Sequence, residues 1–216
     1  MHPGVQKQVA ANVLAKVGDY YDRKLAQFGP VPRGVDWKDG ESQQRRFEQL
    51  LAVCRGRETF SINDHGCGYA GLFDYLGARH AGFVYHGFDV SPSMIAAAKS
   101  RLGDRPNATF SVASTAGRSA DFTVASGIFN VRLDTAEPDW LAYILDVLSD
   151  MERNSRLGFA FNCLTSYADR DHMREDLYYA DPNRLFDHCK RNFSPHVALL
   201  HDYGLYEFTI VVRKEI

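Results

Sequence analysis

Three glycines and two carboxylates carry the densest chemistry in this sequence. Gly66, Gly68 and Gly71 stand in GxGxxG spacing between a strand-like run, TFSIND (59–64), and an apolar helical run containing Leu72, Tyr75 and Leu76. Glycines at such a junction let backbone approach a ligand closely, and the helix that follows presents free N–H groups. Asp64 immediately precedes the turn, and Asp89 lies at the end of the next strand-like run, GFVYHGFDV. A carboxylate at Asp89 can accept from both hydroxyls of a ribose. The spacing alone suits either a dinucleotide or S-adenosylmethionine. A carboxylate at Asp64 would repel a pyrophosphate, but it can accept from an ammonium group, which favours the second ligand.

The wording of these segments adds a resemblance. NDHGCGYAGL resembles the first motif of class I S-adenosylmethionine-dependent methyltransferases, D-x-G-C-G-x-G, with Ala70 in place of the third glycine. FDVSPSMIAAAK is similar to the second motif, ATFSVAS to the third, and ASGIFN to the segment after the fourth strand, so the likeness spans about residues 59–135. It implies S-adenosylmethionine as cofactor. Asp64, Gly66, Cys67 and Gly68 would form the turn around it, and Asp89 would take the ribose. Val90 and Met94 would line the adenine pocket, Ser114 would sit near the adenine amine, and Ser126 would follow the fourth strand. The flanks, RGVDWKDGESQQRRF and LYYADPNRLFDHCKRNFSPHVALLHDYGLYEFTI, resemble bacterial methyltransferases met among small-molecule and surface-sugar genes. Two other functions keep the same turn. A nucleotide-dependent oxidoreductase must accommodate Asp64, whereas a non-catalytic S-adenosylmethionine-binding protein would read identically.

Methyl transfer asks the protein chiefly to align a nucleophile with the methyl carbon. In an open α/β sheet the ligands lie beyond the carboxyl ends of the strands. On the side away from adenine these ends are residues 126–130, 164–174 and 201–207, which offer Asn130, Tyr167, His172, His201, Asp202, Tyr203 and Tyr206. His201 leads the candidates for a base, since a histidine can take a proton near neutral pH, with His172 and Tyr167 behind it. Trp37 is placed to cover the cofactor. Arg46 is placed to reach its carboxylate, a group that arginine binds bidentately.

The elements that must hold these groups alternate as strand and helix from Thr59 onward. Five parallel βα units end in two strands, HVALLHDYG and YEFTIVVRK, whose short link demands an antiparallel hairpin. The expected fold is therefore α/β: a doubly wound, mostly parallel seven-stranded sheet with a C-terminal antiparallel hairpin. Residues 57–216 form this domain, and residues 1–56 form an N-terminal helical lid. In the lid, Val9, Val13, Val17 and Tyr20 or Tyr21 recur at helical spacing up to Gly29-Pro30. A loop over 30–40 leads to a second helix with Phe47, Leu50, Leu51 and Cys54 inward. Ser91 suits an N-cap with Pro92 at the first helical position, and Asp181-Pro182 opens a helix over 183–192.

Composition narrows the partners. The 216 residues carry a net charge of −2 with the signs interspersed, unlike the basic stripe of a nucleic-acid binder. The four cysteines form no CxxC pair, so neither a metal site nor a disulfide framework is expected. No apolar run approaches the roughly 20 residues of a membrane helix, and MHPGVQKQVAANVLAK lacks a signal-peptide core. The expected partner is a small-molecule methyl acceptor, with no nucleic acid and no membrane, in the cytoplasm.

Overall fold

Eight strands form one sheet at the centre of the computed structural model, which describes residues 3–215, with side chains from residue 12 onward. The side chain of Val9 and the ends of both expected domains lie outside the described residues. The strands are β1 (Thr59–His65), β2 (Gly82–Asp89), β3 (Ala108–Val112), β4 (Ala120–Ala125), β5 (Ser155–Thr165), β6 (Tyr179–Ala180), β7 (His196–Leu200) and β8 (Glu207–Arg213). Their order is β3-β2-β1-β4-β5-β8-β7, with the two-residue β6 paired to the end of β5. Strands β1 to β5 pair in parallel, and β8 runs antiparallel between β5 and β7. The seven-stranded sheet with its antiparallel hairpin is thus present. β6 is an addition, since two residues are too few for a periodic signal.

Chain order fixes where ligands can sit. β1 leads out to β2 and β3 on one side, and the chain then returns to β4 on the other, so the strand order reverses at β1. A crevice opens at such a reversal, beyond the carboxyl ends of the flanking strands. The first half of β1 anchors it in the core, with Phe60 and Ile62 packed among Leu72, Leu76 and Tyr85 on one face, while its buried end, Asn63 to His65, is polar. The opposite face packs Phe129, Trp140, Ile144, Phe159 and Phe161.

The helices are α1 (Pro3–Phe28), α2 (Gly40–Leu50), α3 (Gly71–Gly77), α4 (Pro92–Leu102), α5 (Glu137–Arg153) and α6 (Pro182–Asn192). Local chemistry starts them as read: Ser91 Oγ accepts from the Met94 N–H at 3.0 Å with Pro92 behind it, and Asp181 accepts from the Asn183 N–H at 2.9 Å. α2 is capped by Asp39, whose carboxylate accepts from the Ser42 N–H at 2.8 Å. The stretch expected as plain loop contains a 3-10 turn, Pro32–Val35. No helix among the described residues is long and apolar enough to cross a membrane.

Polar contacts hold the N-terminal segment together and tie it to the domain. Lys24 Nζ lies 2.7 Å from the Asp36 carboxylate, which also accepts from Tyr20 Oη at 2.6 Å. The Ser91 hydroxyl donates to Asp22, which joins α1 to the start of α4. Burial pushes the Asp36 carboxyl up, but the hydrogen bonds from Lys24 and Tyr20 outweigh it and hold the group low.

Candidate functional site

The turn after β1 is built so that backbone, not side chain, faces the crevice. Gly66 and Gly68 adopt φ of +70° and +54°, the left-handed region that glycine reaches without strain. A Cβ on Gly66 would lie 2.3 Å from Cγ2 of Ile128, and one on Gly68 would lie 3.0 Å from Cγ1 of Val35. Ala70, the departure from the motif, takes φ +62° and stands immediately before α3. An alanine there bears strain that the motif's glycine would avoid.

Two carboxylates flank this turn. Asp64 is buried, and its Oδ2 accepts from Tyr85 Oη at 2.6 Å. Burial raises its carboxyl to about 7, the nearby Asp89 charge adds to the rise, and the Tyr85 hydroxyl opposes it. Asp89 Oδ2 accepts from the Gly68 N–H at 3.0 Å and Oδ1 from the Ser91 N–H at 2.9 Å. Burial raises this carboxyl as well, against those backbone donors. A carboxylate offers about four acceptor sites, so two backbone bonds leave room for hydroxyls.

Asp64, Gly66, Cys67, Gly68, Asp89, Val90, Met94 and Ser126 line one cavity, and Trp37 closes part of it. The sequence placed these residues in separate motifs, and the fold brings them together. Two expected residues stay out of the wall. Ser114 is exposed beyond β3, and its neighbour Ala113 lines the cavity instead. Arg46 is turned away: its Nε and Nη2 bind the buried carboxylate of Glu207 at 2.6–2.9 Å. α2 sends Gln43 to the cavity in its place, with Gln43 Oε1 accepting from Tyr69 Oη at 2.8 Å.

The sequence reading missed several wall residues. From α1 come Leu14, Val17, Gly18 and Tyr21, and from α5 comes Tyr143. Burial raises both tyrosine hydroxyls, which stay neutral. His65 lies within the motif itself, its ring tilted against Phe88 with centres 4.6 Å apart, and burial lowers it to about 4. It is therefore a neutral imidazole across the physiological range, not a base. Its Nδ1 and the Ser126 Oγ are buried without hydrogen-bond partners. Both residues belong to the cavity wall, and unpaired polar atoms are costly inside a protein.

These features suit the cofactor that the motifs imply. The backbone cradle allows close approach, and the carboxylates of Asp64 and Asp89 can accept from an ammonium and from hydroxyls.

The candidate bases lie elsewhere. Tyr167, His172 and His201 are not in the cavity wall. They gather on an outer rim at the ends of β5 and β7, where the Tyr167 and His201 rings lie 5.9 Å apart, tilted, and the His172 ring lies 5.5 Å from that of Tyr206. His172 Nδ1 is 3.2 Å from Tyr206 Oη, which donates to Asp169. Asn130 serves structure, its Oδ1 accepting from the Leu164 N–H at 3.1 Å.

Known proteins resemble this chain in sequence or in fold. The candidate methyltransferase Rv1506c of Mycobacterium tuberculosis is 56% identical over 164 residues, covering 76% of this chain and 99% of its own. No protein-family model matches the chain. Among solved structures, the N-methyltransferase NodS of Bradyrhizobium japonicum in complex with S-adenosyl-L-homocysteine superposes with a TM-score of 0.61 at 13% identity, over 92% of this chain and 98% of its own. Magnesium protoporphyrin IX methyltransferase of Synechocystis with bound S-adenosylhomocysteine gives 0.61 at 15% identity, over 81% and 84%. At such identities the structural likeness speaks for the fold.

Proposed function

The chain belongs to the methyltransferase family of its mycobacterial relative, and from that premise we propose that it moves a methyl group from S-adenosylmethionine to an oxygen or nitrogen of a small molecule or sugar. The observation that carries this reading is the pair of carboxylates, buried Asp64 and partly buried Asp89, on either side of a glycine turn in one cavity. When bound, the cofactor supplies an electrophilic methyl on a sulfonium, a good leaving group that needs no acid from the protein.

The protein's part is to bind, orient and exclude water. Asp64, once ionised, pairs with the ammonium of the methionine arm. Asp89 takes the ribose hydroxyls, and the backbone at Gly66 and Gly68 lets the ligand lie against the turn. Val90 and Met94 pack the adenine. Trp37, Tyr21 and Leu14 cover the ligand from the 1–56 segment, which acts as the lid. Alignment of this kind can lower a barrier by roughly 7–11 kcal/mol. The acceptor is assigned to the outer rim, where His201, with His172 and Tyr167 behind it, is the proposed proton acceptor.

Isothermal titration tests the cofactor assignment: S-adenosylhomocysteine should bind, and NAD and NADP should not. Binding of NAD in preference would overturn it in favour of an oxidoreductase. A methyl-transfer screen of small acceptors then separates an enzyme from a non-catalytic binder.

A further inference from the structure

Arg46 and Glu207 form a buried ion pair between α2 and the first residue of β8. Nε reaches the two carboxylate oxygens at 2.9 and 2.8 Å, and Nη2 reaches Oε1 at 2.6 Å. Such a pair is weak as a stabilising device, because desolvating two charges offsets much of their attraction. The surroundings of this pair give it another use.

On one side the Arg46 guanidinium lies over the Trp37 indole, 3.9 Å from the ring centre. On the other, Glu207 Oε2 accepts from Asn162 Nδ2 at 3.0 Å, and Asn162 Oδ1 accepts from the Gly127 N–H at 2.7 Å. Gly127 has φ +76°, and a Cβ there would lie 2.4 Å from Cζ2 and Cη2 of Trp37. The contacts close into a ring: Trp37, Arg46, Glu207, Asn162, Gly127 and back to Trp37. Trp37 and Gly127 line the cavity, whereas the three residues between them do not.

We propose that Glu207 is a positioning residue of the cofactor site: through Arg46 it holds Trp37 over the cavity, and through Asn162 it holds the Gly127 turn against that ring. The proposal rests on reading the cavity as the S-adenosylmethionine site. One carboxylate sets the distance between two parts of the mouth that come from the lid and from the end of β4. Nothing in the ring touches the ligand except at its two ends. Losing Glu207 therefore loosens the mouth without removing any ligand contact directly.

The test uses the full chain, S-adenosylhomocysteine titration and acrylamide quenching of tryptophan emission. Trp140 is fully buried, with its Nε1 bonded to the Phe129 carbonyl, so quenching reports on Trp37. The double variant Arg46→Met/Glu207→Met removes both charges at similar volume, which buried pairs often tolerate. It should keep its melting temperature near wild type, bind S-adenosylhomocysteine about tenfold or more weakly, and quench more readily. Glu207→Gln, which keeps an acceptor for Asn162 and for one Arg46 nitrogen, should fall between. A folded double variant with wild-type affinity and quenching overturns the proposal. If the double variant does not fold, Glu207→Gln decides alone, and wild-type values for it overturn the proposal equally. A wild-type protein that fails to take S-adenosylhomocysteine overturns the cofactor reading instead, and the quenching comparison still decides whether Glu207 holds Trp37.

Discussion

At the ends of β1 and β2, the groups facing the cavity are withdrawn from water: Asp64, His65 and Cys67 are all buried, and both carboxyls are pushed upward. At the ends of β5 and β7, Tyr167, His172 and His201 are exposed and bond mainly to one another and to neighbouring polar groups. The inner rim holds charge where burial makes it expensive. That cost is recovered only when a complementary cation arrives, so the inner rim is specialised for one ligand. The outer rim sits in water, where each contact is weak and many acceptors could be accommodated. In physical terms, this is why the cofactor is legible and the acceptor is not.

The comparison breaks most easily at Gly66. Gly66→Val forces a branched side chain into a left-handed backbone and against Ile128. Strain of about 1–3 kcal/mol together with the lost approach should cost S-adenosylhomocysteine binding roughly 100-fold or more, measured by titration, with circular dichroism to check the fold. Normal binding would reduce the glycine turn to a structural feature. Asp89→Ala comes next, with an expected loss of about 1.5–3 kcal/mol in cofactor affinity from the missing charge-assisted bonds.

Asp64 gives the comparison a pH axis. Its folded carboxyl titrates at about 7, above the ordinary value of about 3.9. Below 7 the empty site is protonated and cannot pair with an ammonium. S-adenosylhomocysteine affinity should therefore rise with pH by up to about tenfold per unit and level off above 7. The stability of the empty protein should move the opposite way. The fold holds this proton more tightly than the unfolded chain does, so the contribution is present below about pH 4 and is lost as pH rises through 7. Asp64→Asn should flatten both profiles, and profiles that persist in this variant would assign the titration to another group.

A smaller effect is expected in the lid. Hydrogen exchange across residues 37–47 should slow when S-adenosylhomocysteine is added, and equal exchange with and without it would make the N-terminal helices a static appendage. The smallest effect on the cofactor belongs to His201→Ala, which should leave its affinity within a few tenths of a kcal/mol. With an acceptor in hand, the same variant should lose roughly 100-fold in turnover and recover part of it at higher pH. Unchanged turnover would leave catalysis to alignment alone.

Local chemistry made much of this molecule readable from the chain. Ser91 and Pro92 start α4 through contacts three residues apart, and the glycine turn takes its shape from residues within a few positions of one another. The hairpin follows from a link too short to cross over. Asp64 and Asp89 could likewise be matched to a cofactor, because each stands near the end of a strand-like run within a recognisable motif. Tertiary structure decided what depends on distance. Tyr21 reads only as part of a helical stripe and Tyr143 carries no signal, and only the packing of α1 and α5 over the sheet makes them cavity wall. Arg46 has the right chemistry for a ligand carboxylate, but a carboxylate 161 positions away claims it first. Periodicity and spacing report what a residue's neighbours in the chain require. Which of two carboxylates an arginine meets depends on how α2, β8 and β5 come together, and no local pattern encodes that.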